Sequence, residues 1–131
     1  MLSVHQETFP YPIETVWAVL TDLQHTRWRS DLERVGVMDD RHFVEYTKGG
    51  IATRFTVTAV HPPRHWAFAM ENARMTGRWV GVLEPQGTAT RVIFAESVFP
   101  KHRWLRPLVP AYLRRQQAQY CADLRRRLAE I

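Results

Sequence analysis

The feature that most constrains this chain is a change of hydrophobic period. From about Leu32 to Phe99, apolar and polar residues alternate, the period-two pattern of half-buried strands. From Pro110 to about Ala129 the period is helical. Val109, Leu113, Gln117, Tyr120, Leu124, Leu128 and Ile131 form one stripe, with Arg114, Arg115, Arg125 and Arg126 on the opposite side. Such a stripe has to be buried, and only the surface built by the alternating segment is large enough to receive it. One helix does not cover a whole sheet. A twisted sheet curls around the helix instead, and the space between them is a natural cavity.

The alternating segment divides into six strands: Leu32 to Met38, Phe43 to Thr47, Ala52 to Val60, Trp66 to Glu71, Gly77 to Leu83 and Thr90 to Phe99. The breaks carry turn chemistry at Asp39-Asp40, Gly49-Gly50, Pro62-Pro63, Glu71-Asn72 and Pro85-Gln86-Gly87. Breaks this short imply hairpins, hence an antiparallel meander. Before it, Ser3 to Phe9 reads as a first strand that Pro10 and Pro12 end. Ile13, Val16, Trp17 and Leu20 then mark an amphipathic helix entered at Pro12. Asp22 is expected to cap a second short helix through about Arg27, turning Leu23 and Trp28 inward. The fold class is therefore α+β: a seven-stranded curved antiparallel sheet around a long C-terminal helix, with two short helices between strands 1 and 2.

A chain of 131 residues suits one domain, here residues 1–131. One cysteine allows neither an internal disulfide nor a cysteine-based metal site. The N-terminus lacks the basic and apolar regions of a signal peptide, and no apolar run approaches the ~20 residues of a membrane span. A cytoplasmic protein is expected. From Lys101 onward eight Lys or Arg face two acids, while the first hundred residues hold ten against eleven. The excess positive charge is thus C-terminal, where it suits a solvated helix face or an anionic surface. The six His show no metal-binding spacing, and no phosphate loop, dinucleotide fingerprint or nucleophile elbow occurs. No metal and no cofactor are expected.

Two segments carry a resemblance. Pro12-Ile13-Glu14-Thr15-Val16-Trp17-Ala18-Val19-Leu20-Thr21-Asp22, followed by Trp28, resembles the opening signature of the START-like, Bet v 1-like (SRPBCC) superfamily, in its polyketide cyclase/dehydrase and lipid-transport branch. Leu83 to Val92 resembles that family's hairpin before the last strand, although Ala89-Thr90 interrupts its usual Gly-Thr-Arg-Val run. The resemblance covers nearly the whole chain. It implies the helix-grip fold and a hydrophobic ligand such as a lipid, quinone or polyketide.

Strand parity proposes the cavity wall. Phe55, Phe68, Met70, Trp79 and Phe94 are assigned to the concave side. Glu96 lies between Phe94 and Val98 on that side, where a carboxylate has to find a partner or stay protonated. Arg54, Arg78 or a tyrosine are its expected partners, and it is the candidate catalytic or ligand-orienting group. Tyr46, Tyr112, Gln116 and Tyr120 are expected to add polar groups, and Trp28 to gate the opening or cap the core. Three functions follow. The first is binding of a small hydrophobic ligand. The second is a cyclase or dehydratase that folds a polyketide-like chain in the same cavity, with Glu96 moving protons. The third, which the resemblance implies because some members of that family associate with ribosomes or membranes, is such an association through the basic C-terminal helix. No stacking platform for specific nucleic-acid binding appears, and the chain is expected to act as a monomer or homodimer.

Overall fold

Seven strands pair in the order β1-β7-β6-β5-β4-β3-β2, every pair antiparallel. They are β1 (Leu2–Phe9), β2 (Leu32–Val37), β3 (His42–Thr47), β4 (Ala52–His61), β5 (His65–Glu71), β6 (Met75–Gln86) and β7 (Ala89–Pro100). The computed structural model describes all of residues 1–131. Consecutive strands from β2 to β7 are hairpin neighbours, as the short turn segments predict, and β1 closes the far edge by pairing with β7. Gly50 and Gly87 supply the left-handed backbone that two of these turns need. Bulges between Leu32 and Arg34 and between Val57 and Ala59 add to the bend of the sheet.

Helix α1 (Ile13–Thr21) follows β1 and buries Val16 and Leu20. The second short helix expected from Asp22 is instead a run of turns. The Asp22 carboxylate accepts the Gln24 amide at 3.0 Å and approaches His25 Nδ1 at 2.8 Å, a local turn that competes with helix formation. A 3-10 turn at Arg103–Leu108 leads into α2 (Val109–Glu130), with Pro110 in its first turn.

Helix α2 lies against β1, β7 and α1. Its Leu113, Leu124 and Leu128 are fully buried with Phe9, Val92, Phe94 and Leu83. Each such side chain contributes roughly 1.5–3 kcal/mol of transfer free energy. Ile131, read as the end of the stripe, is exposed, because α2 ends before it. The helix therefore covers one half of the concave face. The other half, on β3, β4 and β5, has only side chains to fill it.

Candidate functional site

Aromatic rings occupy that uncovered half. Phe43 and Phe55 stack at 4.7 Å between ring centroids, and Phe68 and Trp79 at 4.8 Å. Phe94 meets Tyr120 edge-on at 5.3 Å, which ties the sheet to α2. Such pairs add to the area they bury, so the wall is well held. The rings leave a partly open cavity of about 100 Å³. A wider and more open groove of about 580 Å³, on the other face of the sheet, includes Arg54, Arg78 and Phe99.

All but one of the candidate residues line this cavity: Trp28, Phe55, Phe68, Met70, Trp79, Phe94, Glu96, Tyr112, Gln116 and Tyr120. Tyr46 does not. In β3 the inward residues are Phe43, Glu45 and Thr47, so parity turns Tyr46 to the opposite face. There the Arg34 guanidinium lies 3.8 Å above its ring. Arg54 and Arg78 are also not partners of Glu96. Both are exposed, and Arg54 pairs with Glu71 at 3.1 Å.

The register of β7 opposite Ser3 of β1 and Trp79 of β6 fixes Glu96 on the concave face. It is buried, and no hydrogen bond or ion pair satisfies its carboxylate. Burial first, and the nearby Glu45 second, push its pKa up to about 7 against the opposing pull of Arg29. A second polar atom is also unpartnered. The Trp28 indole Nε1 is buried without an acceptor, in a residue that lines the same cavity. A carboxyl with no protein partner and an orphaned donor thus face one cavity, and groups of this kind are found at binding sites.

Sequence reasoning missed the charged residues Asp22, Arg29, Asp31 and Glu45 of the cavity, and Arg29 ties the last two together. Arg29 lies in the turn segment before β2 and carries the cavity's only guanidinium. It binds Asp31 through both arms, Nε to Oδ1 and Nη2 to Oδ2, each at 3.1 Å, and its Nη1 reaches Glu45 Oε2 at 3.4 Å. It also covers the Tyr120 ring at 4.8 Å. Burial opposes its charge, but Glu45 and Asp31 outweigh that and hold its pKa above the ordinary value. Desolvation works to raise Asp31, yet Arg29 and the Gln116 amide, which donates to Oδ2 at 3.0 Å, keep its pKa low. Glu45 goes the other way: desolvation raises its pKa against the pull of Arg29.

The turn that presents Trp28 and Arg29 is clamped to α2. Buried Asp123 accepts the Ser30 amide at 2.8 Å and the Ser30 hydroxyl at 2.9 Å. Arg126 donates to the Trp28 carbonyl at 2.7 Å. Glu45 was legible from the parity of Phe43. Arg29 and Asp31 had no such signal, since they belong to no regular element.

Elsewhere, His5, Glu7 and Cys121 place their ligand-type atoms within 4.8 Å of one another between β1 and α2. Glu7 is held by Arg125 at 2.7 Å, and burial pushes the Cys121 thiol up to about 12. The thiol stays neutral and the carboxylate is taken, so the cluster is packing. No helix is long and apolar enough to cross a membrane.

With this geometry in hand, the chain can be set beside known proteins. A START superfamily protein from Mycobacterium smegmatis superposes with a TM-score of 0.90 at 10% identity, over 98% of this chain and 97% of that one. A conserved protein from Geobacillus kaustophilus gives 0.87 at 12% identity, over 99% and 96%. A protein from Thermus thermophilus gives 0.77 at 16% identity, over 99% and 98%. These likenesses show the helix-grip, START-like fold. Among curated proteins, none matches the sequence. The family model described as polyketide cyclase / dehydrase and lipid transport matches residues 1–129, and the chain belongs to that family.

Proposed function

We propose that the protein binds a small hydrophobic molecule in the cavity between sheet and α2, and that Glu96 receives the polar end of that molecule. The observation that carries this reading is a buried carboxyl with no protein partner in the lining of an aromatic-walled cavity. The family description, which includes lipid transport, supports it. A cavity of about 100 Å³ falls below the ~300 Å³ of sites for drug-sized ligands. The ligand therefore enters by displacing lining side chains. Trp28 and Tyr120 are the two rings of the wall not carried by the sheet, so on this reading their side chains turn aside while the clamped turn and α2 stay in place. A single cysteine suits a reducing compartment, and the cytoplasm is the proposed one.

The test compares two probes that differ by one hydroxyl, naphthalene and 2-naphthol, by calorimetric titration. The wild type is expected to prefer 2-naphthol by about five- to tenfold, the gain of one hydrogen bond to a buried group. Glu96→Leu is expected to keep naphthalene binding and lose the preference. An unchanged preference removes Glu96 from the site. No binding of either probe removes the cavity as a ligand site.

One observation favours a second reading, a cyclase- or dehydratase-type enzyme acting on a polyketide-like chain. A carboxyl titrating at about 7 is matched to proton transfer at neutral pH. The cavity would then fold the chain and Glu96 would take a proton from a carbon beside a carbonyl and return it to the departing oxygen. This reading requires a turnover rate with an inflection near the Glu96 pKa that vanishes in Glu96→Gln.

A further inference from the structure

The 3-10 turn and the first turns of α2 expose apolar side chains at four-residue spacing. Trp104 is 69% exposed, Leu108 57% and Tyr112 45%. Arg103, Arg106, Arg114 and Arg115 surround them, all exposed and none engaged in an ion pair. Lys101, at the start of the segment, is held by Glu71 at 2.9 Å. No Asp or Glu occurs from Ser97 to Ala122, so nothing within this stretch neutralises the cations. Exposed Trp and Leu among unpaired Arg have no reason to be together on a surface that meets only water.

We propose that this segment, Lys101 to Arg115, docks the protein on an anionic lipid bilayer. Trp104 and Leu108 enter the interfacial layer, where an amphipathic ring and an aliphatic side chain are both favoured. The four arginines meet the lipid phosphates. Charge alone also suits RNA, but the apolar groups distinguish the two surfaces. Leu108 has nothing to stack against, and His102 already covers one side of Trp104, with ring centroids at 6.1 Å and 23° between planes.

The place of the patch gives it a consequence. Tyr112 is shared: it is exposed with the patch and it lines the cavity. Gln116, one turn further along α2, lines the cavity too. A bilayer held against Trp104 and Leu108 therefore lies at the cavity's edge, and an apolar ligand passes between them without crossing open water. The docking stands on the surface alone. The passage of ligand rests on the cavity reading above.

The experiment is co-sedimentation of the full chain with vesicles of phosphatidylcholine alone and of phosphatidylcholine mixed with phosphatidylglycerol, at low and high salt. The wild type is expected to sediment with the mixed vesicles and not with phosphatidylcholine alone, and salt is expected to release it. Arg103→Glu with Arg106→Glu is expected to weaken binding by at least about tenfold. Trp104→Ala with Leu108→Ala is expected to weaken it several-fold with every charge kept. None of these side chains is buried, so thermal melting of the variants should match the wild type. Absence of binding to anionic vesicles overturns the proposal. So does equal binding of the anionic vesicles by the wild type and the Trp104→Ala, Leu108→Ala variant, which would make the patch a purely electrostatic one. Titration of that variant with 2-naphthol keeps the two readings apart, since docking can be lost while the cavity still binds.

Discussion

Arg29 grips Asp31 with two parallel hydrogen bonds of 3.1 Å, and the same guanidinium extends to Glu45 at 3.4 Å. One cation thus serves two acids at the cavity wall, while a third acid, Glu96, has none. Four carboxyls, Asp22, Asp31, Glu45 and Glu96, and one guanidinium line this space; burial raises the pKa of both Glu45 and Glu96, and of these two only Glu45 is paired with Arg29.

Removing the cation exposes that dependence. Arg29→Gln is expected to destabilise the protein by about 3 kcal/mol or more, since breaking a buried ion pair by deleting one partner strands the other charge. Urea denaturation at neutral pH checks it. A loss below about 1 kcal/mol would mean that the pairs are solvated and contribute little.

Glu96 links stability to pH. Its pKa is about 7 in the folded chain against an ordinary 4.5. Below the ordinary value both states hold the proton and the group is neutral in its effect. As pH rises towards about 7 the unfolded chain gives up its proton first, so the folded state is progressively penalised. The full penalty, on the order of 3 kcal/mol, is present above the folded pKa. Glu96→Gln is therefore expected to gain stability relative to the wild type between about pH 5 and 8. A constant difference across that range would show that Glu96 has no raised pKa.

The close approach of Trp79 to Gly81 makes another test. A Cβ at Gly81 would lie 2.4 Å and 2.8 Å from two atoms of the Trp79 ring, which is itself stacked on Phe68. The ring has no free end to swing away. Gly81→Ala is expected to cost about 1–3 kcal/mol and to push the indole into the cavity. Near-ultraviolet circular dichroism should change, and probe binding should fall. A variant as stable as the wild type with an unaltered spectrum would show the ring to be mobile.

Much of this molecule was legible in its sequence, for a definite reason. Strand parity and turn residues are local signals, and they placed all seven strands and the long helix. Parity also placed Phe55, Phe68, Trp79, Phe94 and Glu96 on the inner face. The same rule, applied to Phe43, puts Glu45 inside and Tyr46 outside, and applied to Phe55 and Trp79 it turns Arg54 and Arg78 away from Glu96. Those errors lay in choosing residues by chemistry against their own parity. Arg29 is different. It belongs to a turn whose course is set by Asp123 and Arg126 from the far end of the chain, and no periodicity reports such contacts. The second helix failed where Asp22 was read as a cap, although its carboxylate closes a turn two residues on.

The most direct test of the central claim uses the five tryptophans as reporters. Trp28, Trp66 and Trp79 line the cavity, while Trp17 and Trp104 do not. Indole N–H resonances from a nitrogen-15-labelled chain, assigned by substitution, can be followed as 2-naphthol is added. The account predicts that Trp28, Trp66 and Trp79 shift together and saturate with one binding constant, while Trp17 and Trp104 stay in place. Shifts confined to Trp104, or none at all, would contradict it.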